Sequence, residues 1–211
     1  MLAILFGHDW ETTMTLQETA PGTTRRNDAA IALLRHRRST MPDDLHAPGP
    51  TSEELDGIVE IALRVPDHGR LGPWRLVMIA GEAKDRWLER LFALAENRED
   101  AAKSRVSTRK LKSAPLVIAV ISSPTPGHKV PEWEQVLSAG AVAMNLVNGA
   151  AAFGYGANWL TGWHAYDEAA TALLGLAENE SVAGVVLVGT AAQRAAERDR
   201  ADPGRVVTWL E

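Results

Sequence analysis

Two runs in the chain are apolar on both faces: residues 115–121 (P-L-V-I-A-V-I) and residues 181–189 (S-V-A-G-V-V-L-V-G). A strand with one face in water alternates apolar and polar side chains. An unbroken apolar run of this length therefore predicts an interior strand, covered from both sides. Between the two, residues 132–153 have the length and apolar content of a long, mostly buried helix. Its small residues Ala139, Gly140, Ala141, Ala143, Gly149, Ala150, Ala151 and Ala152 allow close approach of a second helix. In a chain of 211 residues, 45% hydrophobic and 23% charged, these segments predict one α+β domain with an ordinary core. Neither an internal repeat nor a shift in composition divides it.

Local signals place the other elements. Residues 1–27, with six threonines and Pro21-Gly22 but no helical or strand period, predict a poorly ordered extension in which Met14 is a second candidate start. Residues 28–211 predict the single domain. Asn27 or Asp28 caps a first helix through Ile31, Leu33 and Leu34 to the basic end Arg35-His36-Arg37-Arg38, where cations suit the helix dipole. Thr51, three residues before Glu54, forms a capping box. The helix it opens presents Leu55, Ile58, Val59, Ala62 and Leu63 on one face and must stop before Pro66. Residues 74–80 predict a strand, and Gly81 opens a helical region reaching about Leu111. Residues 157–160 predict a short strand, Asp167 caps a further helix through Leu174, and residues 206–209 predict a terminal strand or arm.

Composition excludes several classes of chemistry. The chain has no cysteine, which removes disulfides, thiolate nucleophiles, iron–sulfur clusters and cysteine zinc sites. A formal charge of −5 argues against a protein that coats nucleic acid, although it leaves room for a local cationic site. No stretch approaches the ~20 apolar residues that span a bilayer, and the start lacks the basic and apolar regions of a signal peptide, so a cytoplasmic location without membrane contact is expected. The six histidines lack ligand spacing, so no metal site is expected. G-x-S-x-G, H-E-x-x-H and phosphate-loop patterns are absent.

Four segments carry polar chemistry. Arg37-Arg38-Ser39 offers forked N–H donors and a hydroxyl that match phosphate oxygens, although the tripeptide alone reads as a solvated basic helix end. Arg64-Val65-Pro66-Asp67-His68-Gly69, followed by Pro73-Trp74, is a proline-stiffened loop held at both ends, and such loops often carry sites. By itself, His68 is an ordinary loop histidine. Residues 128–135 (H-K-V-P-E-W-E-Q) open the long helix with acids that suit its N-terminal dipole or line a pocket. Residues 154–162 (G-Y-G-A-N-W-L-T-G) follow a helix rather than a strand, which rules out a dinucleotide fingerprint. A strand ending in Trp159, Leu160 and Thr161 instead suits a flat heterocycle.

In this order, the segments resemble the nitroreductase family of flavoenzymes, in its small single-domain branch, over about 170 of the 211 residues. The resemblance rests on R-R-S at Arg37, R-V-P-D-H-G at Arg64, P-W-R-L-V-M-I-A-G-E at Pro73 and A-P-L-V-I-A-V-I at Ala114. It continues through H-K-V-P-E-W-E-Q-V-L-S-A-G at His128, G-Y-G-A-N-W-L-T-G at Gly154 and G-V-V-L-V-G-T at Gly184. It implies a three-layer α-β-α fold, a mostly antiparallel central sheet, and an intertwined homodimer with FMN at the subunit interface. Arg37, Arg38 and Ser39 then correspond to FMN phosphate and ribityl contacts. Arg64 and His68 correspond to residues approaching the cofactor across the interface, and Trp159, Leu160 and Thr161 to the later FMN-binding segment. The long helix becomes an interface helix and the C-terminus an arm toward the partner. Residues 149–154 match, more weakly, a stretch associated with the nicotinamide donor. The implied activity is ping-pong transfer from NADH or NADPH to a nitroaromatic, quinone or similar small acceptor, with no catalytic side chain required. Alternatives on the same fold are a flavin-dependent dehydrogenase, a flavin-modifying enzyme, or a non-enzymatic FMN-binding protein. Two departures stand out. Residues 40–44 (T-M-P-D-D) are neutral then acidic where relatives carry a further basic residue, and Ala201 replaces an expected proline, so Arg198 and Arg200 are left outside the binding set.

Overall fold

The computed structural model describes residues 26–210. The extension expected over residues 1–27 lies outside them except for Arg26 and Asn27, and Asn27 belongs to a helix cap. Its side chain accepts from the Ala30 amide and opens α1, Asp28–His36. After the two-residue strand β1 (Leu45–His46), the Thr51–Glu54 capping box forms in full and starts α2, Ser52–Ala62. Strand β2 is Trp74–Ala80, and the helical region after it divides into α3, Gly81–Glu96, and α4, Ala101–Arg109. Then come β3 (Leu116–Ser122), the 21-residue α5 (Glu132–Ala152) and β4 (Gly156–Leu160). A short α6 (Glu168–Ala172), the 11-residue β5 (Ser181–Ala191) and the single turn α7 (Pro203–Val206) complete the described chain.

Among the described residues the sheet has five strands, and every pairing is antiparallel. β3 lies between β2 and β5, and β5 is long enough to pair with β3 along one edge and with β4, then β1, along the other. Alternation of side chains across the pleat divides the core into two layers. Val117, Ala119 and Ile121 of β3 join Val182, Val185 and Leu187 of β5 against Trp87, Leu88 and Leu91 of α3. Leu116, Ile118 and Val120 join Val186 and Val188 against Ile58 and Ala62 of α2 and Val142, Ala143 and Leu146 of α5. Helices therefore cover both faces, giving three layers.

On the second face, α2 lies against α5 at Gly149. A Cβ there would come 3.2 Å from the Ile58 carbonyl oxygen, so glycine sets how closely the two helices pack. Two side chains one further helical stretch apart on α5 then hold the loop after α2. Asn145 Nδ2 donates to the carbonyls of Ile61 (3.3 Å) and Arg64 (3.1 Å), and Ser138 Oγ donates to that of Pro66 (2.8 Å).

At the C-terminus, of the two forms expected for residues 206–209, a strand or an arm, the strand is not formed. Residues 206–209 pair with no strand among the described residues; Asp202 caps the α7 turn and the chain runs on exposed. Pro203 sets the helical φ at the first position of the turn, which takes Val206 into α7. β1 and the turns at Pro42–Asp44 and Trp163–Ala165 are too short to show a period in the sequence.

The turn after β4 rests on a buried histidine. Trp163 Nε1 donates to Ser104 O and Thr108 Oγ1, both at 3.1 Å, and the Arg98 guanidinium lies 4.8 Å from the indole centroid while pairing with Asp167 at 2.5 Å. Beneath them His164 is 2% exposed, and its Nε2 has no hydrogen-bond partner among the described residues. Burial pushes its pKa down from 6.5 to about 4. In the folded protein the ring stays neutral while the unfolded chain takes up a proton below pH 6.5, so stability rises with pH across this window. Urea unfolding between pH 6.5 and 4.5 should show a loss on acidification of about 2 kcal/mol. A flat profile, or an imidazole NMR titration near pH 6.5, would contradict a buried neutral ring.

Candidate functional site

At Arg37 the backbone leaves the helix: ψ is 134°, and the Arg37 amide closes α1 on Leu33 O. The next residues lie alongside β4. The Thr40 amide donates to Ala157 O at 2.9 Å, and Asn158 Nδ2 donates to Thr40 O at 2.6 Å. This contact requires Gly156, where a Cβ would meet Thr40 Oγ1 at 2.7 Å and Leu45 Cδ2 at 2.8 Å. The R-R-S segment is thereby fixed beside a cavity of about 600 Å³. Its walls are Arg37, Arg38 and Thr40, the C-terminal turn of α5 at Val147 and Ala151, residues 154–157, and residues 191–195 after β5.

Arg37 is the distinctive group of this cavity. Its Nε and Nη1 are shielded from solvent and have no hydrogen-bond partner among the described residues. Burial first, and then the charges of Arg200 and Arg38, lower its pKa. A guanidinium whose donors find no acceptor among the described residues, crowded by like charges, is chemically suited to an anionic group. Arg38 is differently placed. Its Nη1 donates to the Ala196 carbonyl and lies 3.3 Å from Glu197 Oε1, with the side chain 15% exposed. Glu197 is held down to about 2 by the Arg198 amide, Arg200 and Arg38. Ser39 is exposed. The acidic residues after R-R-S have a structural use: Asp44 accepts from the Ala192 amide through its carbonyl (2.8 Å) and from Gln193 Nε2 through its carboxylate (3.2 Å), fastening the chain that borders the cavity.

Arg64 and His68 lie elsewhere. The Asp67 carboxylate folds their loop by accepting from the amides of Leu71 (3.1 Å) and Gly72 (2.8 Å). Trp74 Nε1 donates to Ser138 Oγ at 3.1 Å, and His68 Nδ1 lies 2.7 Å from Glu134 Oε2 in the first turn of α5. Both Arg64 and His68 are exposed. Glu134, beside His68, and Ala151, at the cavity, are 17 residues apart on one helix, or ~25 Å at 1.5 Å per residue, whereas Asn145, which holds the Arg64 carbonyl, lies between them.

Trp159 lies between them. Its indole covers Gly184, where a Cβ would fall 2.0 Å from Trp159 Nε1, and its far edge reaches the α5 surface at Gly140. Gly184 sits at the register shift between β3 and β5 and has φ 158°. Leu160 turns toward the opposite core layer, packing against the first cluster, and Thr161 is exposed. The eight residues expected at the site are therefore not brought together. Arg37, Arg38 and Ser39 lie toward the C-terminal end of α5, Arg64 beside Asn145, Trp159 against Gly140 and His68 at the N-terminal turn, while Leu160 faces the other core layer and Thr161 is exposed. Thr40, Gly156, Asn158 and residues 191–200 border the R-R-S segment without having been singled out, apart from Arg198 and Arg200, which were weighed and set aside. Only the short strand through Gly156 offered a signal for them, because the others depend on contacts between distant segments.

Along α5, Trp133, Leu137 and Met144 are exposed and share one face with Gly140. Among the described residues, no cluster of three or more His, Asp or Glu could hold a metal, and no helix is long and apolar enough to cross a membrane.

The sequence model of the Nitroreductase family matches residues 34–190. Over 184 residues the chain is 33% identical to an Escherichia coli (strain K12) protein named "Putative NAD(P)H nitroreductase YdjA", covering 86% of this chain and 99% of that one. A Haemophilus influenzae protein named as an NAD(P)H nitroreductase in the same terms is 34% identical over 185 residues, with the same coverage. Among solved structures, a nitroreductase-like family protein from Bacillus cereus superimposes with a TM-score of 0.76 at 18% identity, covering 90% of this chain and 98% of that one. A Bacteroides fragilis nitroreductase with bound FMN gives 0.68 at 19% identity, covering 88% and 100%.

Proposed function

The chain belongs to the nitroreductase family, and on that premise we propose that it is an FMN-dependent NAD(P)H oxidoreductase reducing small acceptors such as nitroaromatics and quinones. The observation that carries the reading is the Arg37 guanidinium, which lines a cavity with two shielded N–H groups unused among the described residues. Those donors fit the phosphate of FMN: forked, permanently charged and dry enough for each hydrogen bond to count. Ser39 adds a neutral donor, and Arg38 adds charge while bonding to the Ala196 carbonyl and to Glu197. The Trp159 indole against Gly184 offers a flat apolar wall for a ring system. Flavin mononucleotide, when bound, supplies the electron transfer between NAD(P)H and acceptor; the protein supplies binding, orientation and electrostatics. A cation near the ring system favours a reduced, anionic flavin, and Arg64 is the candidate on the exposed loop. No side chain needs to act as acid or base for this division of labour.

The reading also calls for a homodimer. Arg37 and His68 are held near opposite ends of α5, ~25 Å apart along its axis and farther than one FMN reaches, with Arg64 beside Asn145 between them. A two-fold axis that packs two α5 helices antiparallel brings the N-terminal end of one beside the C-terminal end of the other. The apolar face of Trp133, Leu137, Gly140 and Met144 is the surface for that contact, and the exposed Val206, Val207, Trp209 and Leu210 suit an arm laid on the partner. Each of the two equivalent sites is then built from both subunits.

Two outcomes test these statements. Purified protein should carry, or take up, a yellow flavin that bleaches anaerobically with NADPH or NADH. Arg37→Ala combined with Ser39→Ala should weaken FMN binding roughly ten- to a hundredfold in a fluorescence titration. Unchanged affinity would remove the R-R-S segment from the site, and protein that takes up no flavin would remove the FMN reading. In solution the chain should sediment at twice its 22.8 kDa mass. Leu137→Glu should yield monomers with impaired flavin binding, whereas a monomeric wild type that binds FMN normally would contradict the shared site.

A further inference from the structure

The Arg37 cavity already has an anion at its edge, and the chain itself supplies it. Glu197 Oε1 accepts from Arg200 Nη2 at 2.9 Å, from Arg38 Nη1 at 3.3 Å and from the Arg198 amide at 2.9 Å. One carboxylate oxygen thus gathers two guanidinium groups. Both act on Arg37 by like-charge repulsion, so three arginines share one neighbourhood. The carboxylate satisfies Arg38 and Arg200 yet leaves Arg37 Nε and Nη1 without an acceptor among the described residues. The chain's own carboxylate thus serves two of the three arginines and not the third.

We propose that Glu197 is an internal occupant of this site, holding Arg38 and Arg200 while the cavity is empty and giving them up when a phosphate monoester binds beside Arg37. A carboxylate brings one negative charge, whereas a phosphate brings nearly two and three acceptor oxygens. The phosphate can therefore serve Arg37 together with its neighbours, which the carboxylate does not do. The exchange is local. The Glu197 side chain is 58% exposed, so it returns to water with little desolvation to reverse, while the Arg38 bond to the Ala196 carbonyl keeps the segment in place. Glu197 consequently lowers affinity for the phosphate end and leaves recognition of the ring system untouched. For FMN this rests on the reading proposed above; for phosphate alone it does not.

Glu197→Gln separates the charge from the fold, because the glutamine has the same length and the site is open to water. FMN, riboflavin and inorganic phosphate are titrated into the wild type and the variant. The flavins are read by fluorescence, and phosphate by the rise in Tm it produces. The variant should bind FMN about fivefold more tightly, the scale of an exposed ion-pair network, and the gain should shrink as salt rises. Riboflavin, which has no phosphate, should bind both proteins alike, and phosphate should raise the Tm of the variant more than that of the wild type. Equal or weaker phosphate stabilisation in Glu197→Gln overturns the proposal, weaker stabilisation meaning that the carboxylate aligns the arginines. If neither protein binds FMN but phosphate still favours the variant, the internal occupant stands and the flavin reading falls.

Discussion

A sheet whose two central strands are buried on both faces has no interior place for a polar ligand. In β3 all seven residues are buried, and β5 is buried from Val185 to Gly189. Every charged or hydrogen-bonding group that could meet a ligand is displaced to where strands and helices end. The R-R-S segment follows the last turn of α1, the Arg64–His68 loop follows α2, and Trp159 lies on the edge strand β4. What these places share is α5, which packs across the sheet and touches each of them at a different height. The helix that completes the core thus also sets the spacing of the candidate site.

Electrostatics then distinguishes one end of α5 from the other. At the C-terminal end, positive charge gathers without enough acceptors among the described residues: Arg37 has shielded, unused donors and Arg38 shares Glu197 with Arg200. At the N-terminal end the groups are paired and fixed, with His68 against Glu134 and Asp67 holding its loop amides. An excess of buried donors is unstable unless a ligand uses them, whereas a satisfied loop is a preformed wall. The two ends therefore suit different parts of one ligand, a phosphate and a ring system. On the proposed reading, Arg37 and His68 of one chain lie too far apart to serve both.

The architecture was legible because it follows from local rules. Unbroken apolar runs predicted β3 and β5, the Thr51–Glu54 pair predicted the start of α2, and Pro66 predicted that α2 ends before it. The C-terminal turn was not, because apolar residues 206–209 satisfy a strand pattern as well as an exposed tail, and Pro203 and Asp202 decide between them only once the ladder partners are known. At the site, residue types were legible and their division of labour was not. Arg37 and Arg38 are adjacent and chemically equivalent in the sequence. The extended backbone after α1 sends one guanidinium into a shielded position and the other to Ala196 and Glu197, about 160 positions away. Likewise, Asp44 reads as a departure from the basic pattern of relatives until its bonds to residues 192 and 193 are seen.

The central claim is that the two ends of α5 belong to different copies of the same site, joined across a dimer. Subunit complementation tests it most directly. One chain carries Arg37→Ala, another carries Arg64→Ala with His68→Ala, and each alone should form dimers with impaired FMN binding. Mixed dimers, isolated by two affinity tags, should regain one flavin site of wild-type affinity, because one of their two sites draws Arg37 from one chain and Arg64 and His68 from the other. Mixed dimers that bind FMN no better than either parent would show that each chain builds its site alone, and the account would fail.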